Sequence, residues 1–335
     1  MNIELSNYVQ EKGKMIEWAE AVVASKKDKT IELSEEQIVI SEAVNKFAVE
    51  IANSGVANTE LSAYLKRVVE EEIYNEPSEL LDRMFTTGSI GEFDDYTSVG
   101  TWKNNLLAHE SSIRGGSVDK SYVDFNRSAM ITKQLQIDTE IKYDDLRRDG
   151  ALTIAQLTLY AIEALQNKKF QAIFSHINGL LLAGDNVFDA TGGLTVQLMD
   201  DFAGYVTDQS STGDTLITGL STDLRGIKNM PGYTEFLSNE MKSALNMGTG
   251  ILNVYNSVPL AQISAGKKLK DGSTLIPKKT IFGFSDKIGQ CDMRGELKVY
   301  QDTNNKKEVI ELKFTGYDFI FAIDHLDKIA KITVK

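Results

Sequence analysis

The sequence has a single cysteine, Cys291, so no internal disulfide framework can hold the fold together. Histidine is nearly as scarce: His109, His176 and His325 are too scattered for metal-ligand spacing, and neither a metal nor a cofactor is expected. No apolar run approaches the roughly 18 residues that a membrane span requires. The opening MNIELSNYVQEKGK also lacks a basic stretch followed by an apolar one. The chain is therefore read as made inside the cell, without a membrane partner. Positive charge is in deficit too: 36 Lys and Arg face 48 Asp and Glu, a formal net charge of −12. Sequence-independent affinity for nucleic acid comes from cations that neutralise phosphates, so this balance argues against a dedicated nucleic-acid binder. A container that merely surrounds DNA needs no such excess.

What is present suffices for a sizeable core. Hydrophobic residues make up 42% and charged residues 25% of 335 residues, which allows two or three structural regions. Residues 1–84 read as acidic and helical. Leu5, Val9 and the run from Ile16 to Val23 recur at helical spacing. Ser34 with Glu36 and Gln37 opens a second helix lined by Ile38, Ile40, Val44, Phe47 and Ile51, and a third is expected from Thr59 to Tyr74. Two readings stand side by side: a small bundle, or an arm laid on a neighbouring copy. From Phe85 to Gly116 the composition turns to Gly, Ser, Thr and Asp, which predicts a long loop.

The most informative pattern follows. Val123, Phe125, Ala129, Ile131, Leu135, Ile137 and Ile141 occupy odd positions, while polar residues from Asp124 to Glu140 occupy even ones. Period two means an extended strand with one buried face. About twenty residues at about 3.3 Å each would span roughly 65 Å, several times the usual strand. The expectation is a two-stranded projection whose apolar face is covered by another copy of the chain.

The period then becomes helical through ALTIAQLTLYAIEALQNKKFQAIFSHING, with Ala151, Ala155, Leu159, Ile162, Leu165, Ile173 and Ile177 as its stripe. Asp149 is expected as the N-cap and Gly179 just past the C-terminus. Such a rod would be about 42 Å long, a central spine. Residues 180–290 mix strands and helices: one helix through Val196, Met199, Phe202, Ala203 and Val206, another over residues 233–245, and buried strands at ILNVY (251–255) and TIFGF (280–284). The tail reads as four strands, ELKVYQD, EVIELKF, DFIFAID and KIAKITVK, with turns at Asn304-Asn305 and Gly316, packing its sheet on the spine. The class is α+β.

No constellation of catalytic groups assembles. His109-Glu110 has no nucleophile to serve, Asp94-Asp95 and Asp200-Asp201 read as solvated surface, and NMGTG (246–250) lacks the Gly-Lys-Ser/Thr of a phosphate loop. Cys291 reads as a buried apolar residue.

Two segments carry a resemblance. IKYDDLRRDGALTIAQLTLYAIEALQNKKFQAIFSHING (141–179) and ELKFTGYDFIFAIDHLDKIAKITV (311–334), together with the order of elements over residues 85–335, resemble the major capsid proteins of tailed bacteriophages, which have the Hong Kong 97 fold. The resemblance implies an extended loop over 85–138, a peripheral domain of 139–182 with 291–335, an axial domain of 183–290, and an N-terminal helical arm or scaffold-like extension over 1–84. It implies a structural protein and not an enzyme: a virion shell subunit assembled in the host bacterial cytoplasm as hexamers and pentamers, with portal and scaffold as partners, enclosing double-stranded DNA without reading its sequence. Lys103, Arg114, Lys120, Arg127 and Lys133 would face Glu140, Asp144 and Asp145 across subunit contacts. Some members weld their shells through a Lys–Asn isopeptide bond, for which Lys103 and Lys120 with Asn304 and Asn305 are the candidates here. The alternatives are an encapsulin-type compartment with the same fold, and an enzyme built on residues 150–290.

Overall fold

The computed structural model describes residues 13–28, 30–56, 59–75, 79–92, 100–104, 106, 123–231 and 254–335. Four helices come first: α1 (Lys14–Lys27), α2 (Glu35–Ser54), α3 (Thr59–Asn75) and α4 (Glu79–Met84). A capping box opens α2, in which Ser34 Oγ accepts from the Gln37 amide at 3.2 Å and Gln37 Oε1 accepts from the Ser34 amide at 3.0 Å. Trp18, Ile40, Val44, Leu65 and Val69 from these helices are buried in one cluster with Ile154, Ala155 and Ile162 of the spine. The described N-terminal helices thus pack on the spine of their own chain.

The spine helix α5 runs Tyr143–Leu180, starting eight residues before Ala151. It is broken at Asp149, whose backbone sits at φ −156°, ψ 71°. The amide of Ala151, which the break leaves without a helical acceptor, donates instead to Asn45 Oδ1 of α2 at 2.7 Å. Asp149 does not cap with its side chain as expected. Its carboxylate pairs with Lys26 of α1 at 2.6 Å. Gly150 is the contact point, because a Cβ there would collide with Ala48 of α2. At the far end Gly179 remains helical and the last turn closes by Leu181 N donating to Ile177 O at 3.1 Å.

Two sheets flank the spine. The first has the order β1 (Phe85–Ile90), β10 (Gly289–Arg294), β12 (Val309–Ile323) and β11 (Lys298–Asn304), with β4 (Met130–Lys142) along the other edge of β12. β1 corrects the loop expectation at Phe85: FTTGSI has no apolar alternation, yet it pairs in parallel with β10 as an edge strand whose outer residues are exposed. β12 corrects the turn expected at Gly316. The two runs EVIELKF and DFIFAID form one strand with a bulge between Phe314 and Tyr317. Gly316 holds φ 80° there, and a Cβ would lie 2.6 Å from the Glu296 carbonyl oxygen.

The second sheet has the order β5 (Val187–Ala190), β13 (Ile329–Val334), β9 (Thr280–Ser285), β6 (Thr215–Leu220), β8 (Val258–Ile263), β7 (Val254–Tyr255). The last strand, KIAKITVK, therefore leaves the other tail strands and joins β5 and β9. β9 is buried along its whole length. Phe282 and Phe284 meet Phe174 of the spine, with ring centroids at 5.6 and 6.4 Å. Gly283 faces the opposite way, toward Phe202 and Val206 of α6 (Val196–Asp208), the helix expected there. The helix expected over 233–245 and part of ILNVY lie outside the described residues.

Candidate interaction surface

The twenty-residue ribbon resolves into two strands of different fate. β3 (Val123–Arg127) pairs antiparallel with β2 (Gly100–Asn104) in a sheet of their own, and after residues 128 and 129 the chain continues as β4 inside the first sheet. Along β4 the odd-numbered face is not left for a neighbour. Leu135 lies opposite Tyr317, Ile137 opposite Phe314 and Ile141 opposite Ile310, and Leu135 and Ile141 are buried in the cluster that includes the spine. The expectation that another copy covers this face is thus overturned for β4, because α5 of the same chain packs there. It stays open for β3, where Val123 is 47% exposed, and Met130 at the junction is 42% exposed.

The charged residues expected at subunit contacts divide in the same way. Arg127 ends β3 and is exposed. Lys103 stands opposite Asp124 in the β2–β3 register. Arg114 and Lys120 lie outside the described residues. Lys133 is exposed on β4 near His176 of the spine; burial and then the Lys133 charge hold the His176 imidazole below its usual pKa. The acidic set is engaged within the chain: Glu140 with Lys307 at 3.4 Å, Asp144 with Arg147 at 3.2 Å and Asp145 with Arg148 at 3.2 Å. Exposed pairs of this kind contribute at most about 1 kcal/mol.

The amides considered for welding also have internal partners. Asn304 Nδ2 donates to Glu311 at 3.1 Å, and Asn305 Oδ1 accepts from Tyr143 Oη at 2.9 Å. Asp200 accepts from Tyr255 Oη and Asn256 Nδ2 at 2.8 and 2.7 Å, and Asp201 accepts from Gln197 at 2.8 Å, so each carboxylate is satisfied by a neutral donor. Cys291 is buried, and burial pushes its thiol pKa up. His109-Glu110, Asp94-Asp95 and NMGTG fall outside the described residues. Among the described residues no group of three or more His, Cys, Asp or Glu could hold a metal, and no helix is long and apolar enough to cross a membrane.

A cleft of about 550 Å³ opens beside the β12 bulge, lined by Glu92, Gln134, Arg294, Lys298, Tyr300 and Asp318 among others. Glu92 occupies both of these cations. Lys298 meets Glu92 at 2.7 Å and Arg294 donates to the Glu92 carbonyl at 3.1 and 3.3 Å. Surfaces that the sequence did not single out are the exposed apolar residues Ile31, Ile38 and Val39 around the start of α2, Tyr160 on the spine, and Leu180, Leu182 and Leu326. Ile38, expected along the lined side of α2, is 45% exposed, because hydropathy spacing alone does not separate it from its buried neighbours Ile40 and Val44.

No protein-family model and no curated protein matches the chain. Solved structures do. A chain from Microbacterium phage Oxtober96 superposes with a TM-score of 0.52 at 10% identity, covering 78% of this chain and 92% of that one. Chains from Mycobacterium phage Bobi (TM-score 0.53, 8% identity, 78% and 91% covered) and Mycobacterium phage Ogopogo (0.52, 13%, 77% and 92%) are similar. The chain shares the fold of these phage chains, Hong Kong 97-like and α+β in class.

Proposed function

We propose that the chain is a structural shell subunit, the major capsid protein of a tailed-phage head, acting by assembly and not by catalysis. The observation that carries this reading is the β2–β3 ribbon: on the Hong Kong 97-like scaffold, it forms a sheet separate from both others and leaves Val123 and Arg127 exposed. Two strands alone are marginal in water, so a ribbon of this kind gains stability by lying on another surface. Copies of the same chain supply that surface in a closed lattice, where a heterologous contact repeats around an axis. The β2–β3 ribbon is then the extended loop, the spine with the β4/β12 sheet the peripheral region, and residues 183–285 the axial region that meets its copies in hexamers and pentamers. Portal, scaffold and enclosed double-stranded DNA follow as partners, the last without sequence-specific contacts, with assembly in the host cytoplasm and residence in the virion. Negative-stain microscopy of the purified full-length chain tests the proposal. Shells, rings or tubes support it, and a uniform small particle at all concentrations overturns it.

A further inference from the structure

Two exposed features of the described surface are complementary. The first is the outward face of α2. Glu35, Ile38, Val39 and Glu42 follow one another at helical spacing, and all four are exposed, with Ile38 at 45% and Val39 at 50%. Ile31 at 43% and Glu32 extend the face toward the N-terminus. Aliphatic side chains at this exposure in a row of glutamates form an apolar strip with an acidic rim. Glu32, Glu35 and Glu42 have no ion-pair partner among the described residues.

The second is the turn between β8 and β9. Its sequence SAGKKLKDGSTLIPKK carries five lysines against one carboxylate, in a chain of net charge −12. The segment is well tied down. Lys268 bridges Thr274 in antiparallel fashion, Leu269 N donates to Ser273 O at 3.0 Å, and Gly272 N donates to Leu269 O at 2.8 Å. Asp271 is occupied by the Ser273 amide and hydroxyl at 2.9 and 2.5 Å. Ser273 is in turn anchored to Gln171 of the spine at 2.7 Å. Lys267, Lys268 and Lys270 are exposed around the half-buried Leu269, and none has an ion-pair partner among the described residues. The turn therefore presents a fixed, basic tip with an aliphatic centre.

We propose that the Lys267–Lys270 tip of one chain docks on the outward face of α2 of a second copy, Leu269 against Ile38 and Val39 and the lysines against Glu32, Glu35 and Glu42. This deepens the shell reading and rests on it. The occupant is argued from charge and apolar matching. The chain also anchors the two features at separate points of its spine: Asn45 of α2 at Ala151, and the turn at Gln171, twenty residues or about 30 Å further along. No hydrogen bond or ion pair joins them among the described residues of one chain. Such a contact is heterologous, a tip on one copy and a face on the next, the geometry that builds rings.

The test is a charge swap in the full-length protein. Lys267→Glu/Lys268→Glu/Lys270→Glu and Glu35→Lys/Glu42→Lys are each expected to lower the fraction sedimenting as assemblies by about tenfold, since like charges then face each other. The five-fold swap is expected to recover most of it, and wild-type assembly to weaken with salt. Every position is exposed, so an unchanged thermal melt of each variant shows that the fold survives. Failure of wild type to assemble at all overturns the shell reading. If wild type assembles and the lysine variant assembles equally well, or the combined swap recovers nothing, the docking is wrong. A lysine variant that forms normal shells but loses DNA retention also overturns it and assigns the tip to nucleic acid.

Discussion

The side-chain oxygen of Asn45 lies 2.7 Å from the backbone nitrogen of Ala151, and this one hydrogen bond closes the break in the spine helix. Lys26 on Asp149, Arg147 on the Ala52 carbonyl at 2.9 Å, and the Ala48 methyl against Gly150 gather at the same place. The first helices of the chain therefore hold the spine in its broken form by polar contacts and by shape at once. Replacing Asn45 by Ala removes the side-chain acceptor of the Ala151 amide, and a lost cap costs about 1 kcal/mol. Urea titration is expected to show that loss, and Asn45→Asp, which keeps an acceptor oxygen, should return most of it.

Gly150 gives a sharper version. A methyl group at this position overlaps Ala48, and overpacking a filled contact costs about 1–3 kcal/mol. Gly150→Ala is expected to destabilise in that range, even though Ala is the better helix former. Ala48→Gly in the same chain should relieve the overlap, so a double-mutant cycle that shows no coupling between the two positions would contradict the packing described.

Asp286 connects the turn after β9 to the loop after α6. It is buried, and its carboxylate accepts from Ser210 Oγ (2.6 Å), the Ser211 amide and hydroxyl (2.8 and 2.7 Å), the Thr212 amide and hydroxyl (3.1 and 2.6 Å), and Lys328 (3.0 Å). Burial acts to raise its pKa, but the hydrogen bonds from Ser210, Thr212 and Ser211 outweigh it and hold the carboxyl far below the usual carboxylate range. A carboxyl depressed by folding contributes stability that is complete above its unfolded pKa of about 3.9 and fades as the pH falls below it. Asp286→Asn leaves the Lys328 ammonium half-buried without its counter-charge, and a loss of about 3 kcal/mol is expected at neutral pH. Its stability should then fall less steeply than that of wild type between about pH 4 and pH 2.

How much of this could be read in advance depends on the kind of signal. Helical spacing located α2, α3, α5 and α6, and alternation located the strand containing Leu135 and Ile141, because periodicity reports which face is buried. It does not report what buries it. Ile137 carries the same signal whether Phe314 of its own chain or a neighbour lies opposite, and for that reason the cover of β4 was misplaced. Asp149 has the right residue type for a cap, but the capping oxygen comes from Asn45, more than a hundred positions earlier, and only the fold brings it there. Gly316 signals a backbone with positive φ, which a turn and a bulge share. At the interaction surface, Arg127 and Lys133 fall at odd positions, on the side that the alternation reads as buried, yet both are exposed, and only their charge hints at it. The exposure of Ile38 was not legible, since it reads as part of the apolar stripe with Ile40 and Val44.

Lys169 is a buried cation between the spine and the first sheet, with its ammonium 3.3 Å from Met293 Sδ and 5.9 Å from the Phe319 ring centroid. Burial lowers its pKa, with Cys291, Asp82 and Asp292 opposing. A lysine depressed by folding penalises the folded state while it is charged, so stability is expected to rise as the pH climbs from the folded pKa toward the unfolded value of about 10.4. Lys169→Met keeps the length and removes the charge. It is expected to be neutral or stabilising by about 1–3 kcal/mol near pH 7, in line with other buried charges replaced by apolar groups. Denaturation midpoints across pH 7 to 10 should rise for wild type and stay flat for the variant.

The ribbon separates stability from assembly. Val123 on β3 is 47% exposed, so Val123→Asp removes little buried area from the isolated chain, and its melting temperature is expected to stay within the small range typical of surface substitutions, about 0.5 kcal/mol. In the proposed lattice the same position would lie under a neighbour. A carboxylate brought there loses water without gaining a partner, at a cost of about 1–3 kcal/mol per contact. Every subunit repeats the contact, so the loss multiplies around each ring and raises the concentration needed for assembly well beyond tenfold. Sedimentation of the variant against wild type at matched concentrations reads this directly. A variant with an unchanged melt that assembles at the wild-type threshold would place the ribbon outside the subunit contacts and remove the observation on which the shell reading stands.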